Sequence, residues 1–175
     1  MKRKFLSILL TLAMALTLLP TAAMADETPV EAPAETKVAQ IGDVKYDTLQ
    51  AAVDAAPRKA TVKLLADTKE NVTIGTPYVT LDLNGHTLNG STGERKPALT
   101  ITERVTVMDS SEAQTGTIMR EDTAENSGVS SHYVIDVQGA GWLTFESGNV
   151  KNNSGNTEGK GASLVRVGDD SVAKD

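Results

Sequence analysis

Three carboxylates carry most of the chemistry on offer in this sequence. Asp82, Asp109 and Glu146 each follow a short apolar-Thr-apolar run, respectively Val79-Thr80-Leu81, Val105-Thr106-Val107 and Leu143-Thr144-Phe145. Asp82 and Glu146 stand three residues after the first apolar residue of their runs, and Asp109 stands one position later. Stacked in a column, they would offer oxygen ligands for Ca²⁺ or paired acid/base groups for glycosidic chemistry. The plainer expectation is solvation, the usual fate of Asp and Glu at strand ends beside turns. No catalytic residue, metal ligand or cofactor is therefore assigned. Asp82, Asp109 and Glu146 stand as the candidates for either role, with Ca²⁺ as the cofactor they would suit.

Other reactive residue types are sparse. His86 and His132 are expected at surface corners, with no nucleophile or metal partner at recognisable spacing. Cysteine is absent, which excludes both disulfides and zinc-thiolate sites. Gly139, Gly141 and Gly148 read as turn residues without phosphate-loop spacing. Asn84, Asn89, Asn149, Asn152 and Asn153 fall in corners, where a carboxamide bonds the backbone, so their reading is structural first. Asn71, Asn89 and Asn152 also match a glycosylation sequon, a pattern common by chance.

The elements that position these residues are short strands. From Thr61 onward, apolar and polar residues alternate in runs of three to five, separated by Gly, Asn, Ser, Asp and Thr clusters. The apolar-Thr-apolar tripeptide recurs as Val72-Thr73-Ile74 and Val79-Thr80-Leu81, then as Leu99-Thr100-Ile101 and Val105-Thr106-Val107, offset by 27 and 26 residues. Val134-Ile135-Asp136 and Leu143-Thr144-Phe145 make a third pair, offset by another 35 and 38. After each pair comes a polar corner and a third short strand, at Thr87-Leu88, Thr117-Ile118 and Asn149-Val150. Ser163 to Val167 opens a fourth round.

Self-similarity at this period, with three strands per round, predicts an all-β solenoid. Its natural geometry is a parallel β-helix of about three coils, each rung about 4.8 Å from the last. Inward Val, Leu and Ile would stack on like residues, with Thr facing out. The alternative is an antiparallel β-sandwich, because Asn84-Gly85 between alternating runs is also a strong two-residue hairpin signal.

Ahead of the strands, Asp47 as N-cap with Gln50 three residues on predicts a helix. Its apolar stripe is Tyr46, Leu49, Ala52, Val53 and Ala56, and Pro57 ends it. Residues 26–37, rich in Glu, Pro, Ala and Thr, predict a disordered linker. Residues 1–25 combine a basic Lys2-Arg3-Lys4, an apolar run too short to span a bilayer, and Ala23-Met24-Ala25 as a cleavage site. That is the pattern of a signal peptide, and it predicts export to the medium or cell surface.

Three of the 17 Lys and Arg residues and none of the 23 Asp and Glu lie in that segment, which leaves the rest at −9. Such a balance gives no electrostatic footprint for nucleic acid, nor for a membrane once the signal is removed.

Tyr46 to Ala56, Thr61 to Asp67 and Val79 to Leu88 resemble the N-terminal part of pectate-lyase-like right-handed β-helix proteins. The flavour is that of large secreted or surface-displayed proteins of Gram-positive, often gut, bacteria. The resemblance covers about Lys45 to Val150. It implies a right-handed coil with the helix capping its first turn, and it says little about activity, since that superfamily holds lyases, hydrolases and adhesins. For a lyase it would nominate Arg104 and Arg120 by type alone. For a polygalacturonase-like enzyme, Gly85-His86-Thr87 lacks the second Gly of a Gly-His-Gly, and the Asp-Asp pair, Asp169-Asp170, falls in the tail.

The expected organisation is thus a signal peptide (1–25), a linker (26–37), and the N-terminal cap and first coils of a β-helix (38–175), incomplete at the C-terminus because an uncapped stack exposes strand edges. The expected function is a non-catalytic scaffold or adhesin-like module that contacts polysaccharide or a host or cell-surface glycan. The alternative is the N-terminal fragment of a polysaccharide lyase or glycoside hydrolase whose catalytic coils lie elsewhere.

Overall fold

The computed structural model describes residues 36–92, 96–121, 133–153 and 163–168. Residues 1–25, expected as a signal peptide, residues 26–35 of the expected linker, His132 and Asp169-Asp170 lie outside the described residues.

The described chain is mostly strand. A hairpin of β1 (Ala39–Ile41) and β2 (Val44–Tyr46) turns at Gly42 and leads into α1 (Leu49–Ala55). Twelve strands follow in four triplets. The first is β3 (Thr61–Leu64), β4 (Thr68–Lys69) and β5 (Val72–Ile74), and the second is β6 (Val79–Asp82), β7 (Thr87–Asn89) and β8 (Leu99–Ile101). The third is β9 (Arg104–Met108), β10 (Thr117–Arg120) and β11 (Ile135–Val137), and the fourth is β12 (Trp142–Phe145), β13 (Asn149–Asn152) and β14 (Val165–Val167).

Every strand of the first three triplets pairs in parallel with the strand three places later. Three sheets result, with orders β12-β9-β6-β3-β1-β2, β13-β10-β7-β4 and β14-β11-β8-β5. Only the β1 and β2 additions to the first sheet are antiparallel.

The register follows the tripeptide alignment. Val72 pairs with Leu99 and Ile74 with Ile101, Val79 with Val105, and Leu143 with Val105. Thr87, Thr117 and Asn149 align in the second sheet. One expected register is corrected: Leu99 pairs with Ile135, not Val134, so Asp136 stands against Thr100. A one-residue slip would turn every side chain over. The observed setting keeps Ile135 and Val137 in the apolar files and leaves Asp136 in the Thr file.

The apolar files form the core. Val62, Leu81 and Val107 line up with Val79 and Val105, Leu88 and Ile118, and Leu99, Ile101 and Ile135, all with no exposed surface. In the fourth triplet the same files emerge into solvent, with Phe145 at 37%, Val165 at 39% and Val167 at 78% exposure.

Asn84 (φ 46°) and Gly85 (φ 80°) make the tight corner that the sequence predicts, closed by the His86 N–H donating to the Leu83 carbonyl at 2.8 Å. The hairpin alternative is not formed there. β6 pairs with β3 and β9, while β7 pairs with β4 and β10, so the corner passes the chain from one sheet to another.

The helix is capped one residue later than predicted. Thr48, not Asp47, is the N-cap, its hydroxyl accepting the Ala51 N–H at 3.1 Å. Glu70 supplies what the capping box lacks, accepting the Leu49 and Gln50 N–H groups at 2.9 and 3.0 Å. Gln50 instead exchanges two hydrogen bonds with the Thr73 backbone, and Asp47 pairs with Lys37 at 2.5 Å. Leu49, Ala52, Val53 and Ala56 are buried, as the stripe requires.

Candidate functional site

The three carboxylates do not stack as one column, because Met108 rather than Asp109 stands opposite Asp82, and only the two buried ones turn their oxygens to the main chain. Asp82 pairs with Met108, so Asp109 stands one step beyond it, and Glu146 follows β12 with its N–H on the Val107 carbonyl at 2.8 Å. The expectation that all three are solvated holds for Glu146 alone. Asp82 is 4% and Asp109 3% exposed.

Each buried carboxylate ties one corner to the next. Asp82 accepts the Asn84 N–H at 3.0 Å within its own corner and the Ser110 N–H at 2.9 Å in the following one. The Ser110 hydroxyl adds a bond at 2.7 Å, and the Lys63 ammonium lies 3.8 Å away. Asp109 accepts the N–H groups of Gly85, Ser111 and Gly116 at 2.8, 3.0 and 2.6 Å. Burial by itself would raise the Asp109 carboxyl; the N–H groups of Ser111, Gly116 and Gly85 outweigh it and hold the group below the usual carboxylate range. With three of about four acceptor sites taken and its proton affinity lowered, this group is poorly suited to hold a cation or to act as a general acid.

Asn84 continues the stitching, donating to the Leu64 carbonyl 20 residues back at 2.9 Å. Asn71 donates to the Gly90 and Pro97 carbonyls at 2.8 and 2.9 Å, so its carboxamide is a structural clamp. His86 sits at its corner 3.4 Å from Asp67, whose carboxylate accepts the Thr87 N–H. Arg120 has no exposed surface and so cannot reach a polymer in solvent, whereas Arg104 is exposed. Among the described residues no group of three or more His, Asp or Glu is placed to hold a metal ion.

The outer face of the first sheet is different. Thr61, Thr80, Thr106 and Thr144 stand in register across β3, β6, β9 and β12, making one file of hydroxyls. Beside it, two residues earlier along each later strand, runs a file of Tyr78, Arg104 and Trp142. The Tyr78 N–H donates to the Arg104 carbonyl at 2.6 Å, and Arg104 pairs with Trp142. The Arg104 guanidinium carbon lies 5.1 Å from the Trp142 ring centre and 5.5 Å from that of Tyr78, and Arg58 stands 4.4 Å from the same tyrosine ring. Tyr78 and Trp142 are 41% and 59% exposed. Tyr78 also holds φ 65°, a left-handed setting rare for a bulky residue.

Of this group, sequence reasoning nominated only Arg104, and for another role. The signal was present nonetheless. Tyr78, Arg104 and Trp142 each immediately precede an apolar-Thr-apolar run, so the alignment that placed the core also placed them.

No helix among the described residues is long and apolar enough to cross a membrane. Comparison with protein-family models, with curated proteins and with solved structures finds no match for this chain.

Proposed function

We propose that this chain is an exported, right-handed parallel β-helix module of the pectate-lyase-like kind, acting as a non-catalytic scaffold or adhesin-like element that contacts polysaccharide. The pairing of each strand with the one three places later supports the coiled reading, each triplet being one rung. The basic, apolar and small-residue segments of residues 1–25 support export.

One observation carries the functional part. The two buried carboxylates of the candidate column are spent on backbone N–H groups, while the exposed face offers hydroxyl, aromatic and guanidinium groups. That is the inventory of a surface that holds a polymer rather than one that cleaves it.

The test has two parts. The full chain, produced in a bacterial host, is recovered from the medium or cell surface and its N-terminus read by mass spectrometry; a start at Asp26 is expected. The purified protein is then incubated with insoluble polysaccharides and assayed for co-sedimentation, new reducing ends and unsaturated sugar product. Binding without product is expected. Retention of residues 1–25 inside the cell, or turnover of any polymer, contradicts the reading.

A further inference from the structure

We infer that the outer face of the first sheet is a binding site for an anionic linear polysaccharide, received by Arg58 and Arg104 beside the Thr file and stacked on Trp142. This rests on the polysaccharide reading above and adds the place and the charge of the ligand.

The argument starts from the two guanidinium groups. The chain carries a formal net charge of −6, yet no hydrogen bond or ion pair engages the guanidinium of Arg58 or Arg104 among the described residues. What they lie against is aromatic ring, Tyr78 for both and Trp142 for Arg104, at cation–π distance. A cation–π contact uses none of the five N–H donors of a guanidinium, so those donors remain for a ligand. Two cations are thus biased toward the rings by about 0.5–1 kcal/mol with their donors unspent, which lowers the ordering cost of meeting an anion.

The surroundings suit a sugar chain. Rungs about 4.8 Å apart carry the hydroxyls of Thr61, Thr80, Thr106 and Thr144 in a file about 14 Å long. None of these hydroxyls is hydrogen-bonded within the described protein. Ring faces such as that of Trp142, 59% exposed, pack on the C–H faces of sugars. The left-handed backbone at Tyr78 costs about 1 kcal/mol, and it turns that ring onto the outer face between Arg58 and Arg104. Glu146, exposed on the far side of Thr144 from Trp142, disfavours an anion at the fourth rung. The charged groups of the ligand therefore meet Arg104 and Arg58, and the ring of Trp142 packs on the sugar.

Native affinity electrophoresis of the whole chain tests this, with alginate, dextran sulfate or neutral dextran cast into the gel. Retardation by an anionic polymer and not by dextran is expected; alginate alone marks carboxylates as the anion read, and dextran sulfate alone marks sulfate esters. Arg104→Ala and Trp142→Ala should each weaken retention at least about tenfold, and Arg104→Lys should recover it only in part because an ammonium neither forks nor stacks as well. Lys151→Ala, exposed on the second sheet, should change retention less than about twofold. Unchanged melting curves show that the variants are folded. Retention that survives both substitutions overturns this site while leaving polysaccharide contact standing. Absence of retention on both anionic polymers overturns the inference, and absence of binding to any glycan overturns the broader reading too. Retention by oligo(dT) in place of the glycans assigns the face to single-stranded nucleic acid and also overturns it.

Discussion

The Asp109 carboxylate accepts the backbone N–H of Gly85, 24 residues earlier, at 2.8 Å. Asp82 reaches the other way, accepting the N–H of Ser110, 28 residues later, at 2.9 Å. Two successive corners are therefore bound by reciprocal charge-assisted bonds, in addition to the parallel ladder between β6 and β9. A parallel ladder alone fixes strands but not the turns between them, and these carboxylates fix the turns.

Removing Asp109 should be costly. Asp109→Ala strips the acceptor from three backbone N–H groups, of which that of Gly116 is buried. A loss of about 3 kcal/mol is expected in urea unfolding, since buried donors left unmade each cost about 1–3 kcal/mol. Glu146→Ala, at the exposed one of the three carboxylates, should stay within about 0.5 kcal/mol. Equal effects at the two positions would show that Asp109 is no staple.

The same group sets an acid limb. Its folded pKa lies below the ordinary carboxylate value, so its contribution is present above the unfolded pKa of about 3.9 and is lost as pH falls through the folded value. Stability should therefore decline below about pH 4 in the wild type. Asp109→Asn cannot titrate, so the gap between the two proteins should be widest near neutrality and shrink in acid. Urea midpoints measured from pH 7 down to 2.5 check this, and a gap that is constant with pH would refute it.

How much of this was legible beforehand differs by residue. Val79, Val105 and Leu143 were alignable because the stack repeats the same inward chemistry, and their register is as read. Ile135 was missed by one because Val134 is apolar too, and only the demand for Asp136 in an outward file separates the two settings. Asp82 and Asp109 were expected in water because a sequence shows no main-chain donors; those of Ser110 and Gly85 reach them only once the corners stack. The Thr48 cap shifted for a similar reason, its second half being Glu70, 20 or more residues along.

Gly116 should tolerate no side chain. A Cβ there would lie 2.6 Å from both an oxygen of the Asp109 carboxylate, which is tied by three N–H groups, and the Cβ of buried Leu83. Gly116→Ala is expected to cost about 2–3 kcal/mol by overpacking and by loosening the Asp109 bond. Gly139→Ala, with open space around it, pays only for its positive φ and should lose about 1 kcal/mol. The order of the two melting temperatures decides the matter.

Asp136 and Arg166 are cross-strand partners on β11 and β14, joined by two N–H···O bonds of 2.7 Å, with Gln138 adding a third to the carboxylate at 2.6 Å. Asp136 is 2% exposed, so the pair is poorly screened. A double-mutant cycle with Asp136→Asn and Arg166→Gln should give a coupling of about 1–2 kcal/mol that changes little between low and high salt. Coupling near zero, or coupling abolished by salt, would mean that β14 is held by its backbone ladder alone.

The last prediction concerns the lid on the first triplet. α1 is seven residues long, too short to persist without packing and caps. Its first turn donates to Glu70 and Thr48, and its buried Leu49 and Val53 join the core. Glu70→Ala should therefore cost about 1–2 kcal/mol and Thr48→Ala about 1 kcal/mol. The sharper readout is local. Hydrogen exchange at the Leu49 and Gln50 amides should speed up in Glu70→Ala while the amides of β9 remain protected. If the whole chain loses protection together, the helix unfolds only with the sheets, and Glu70 acts on the whole fold rather than on the cap.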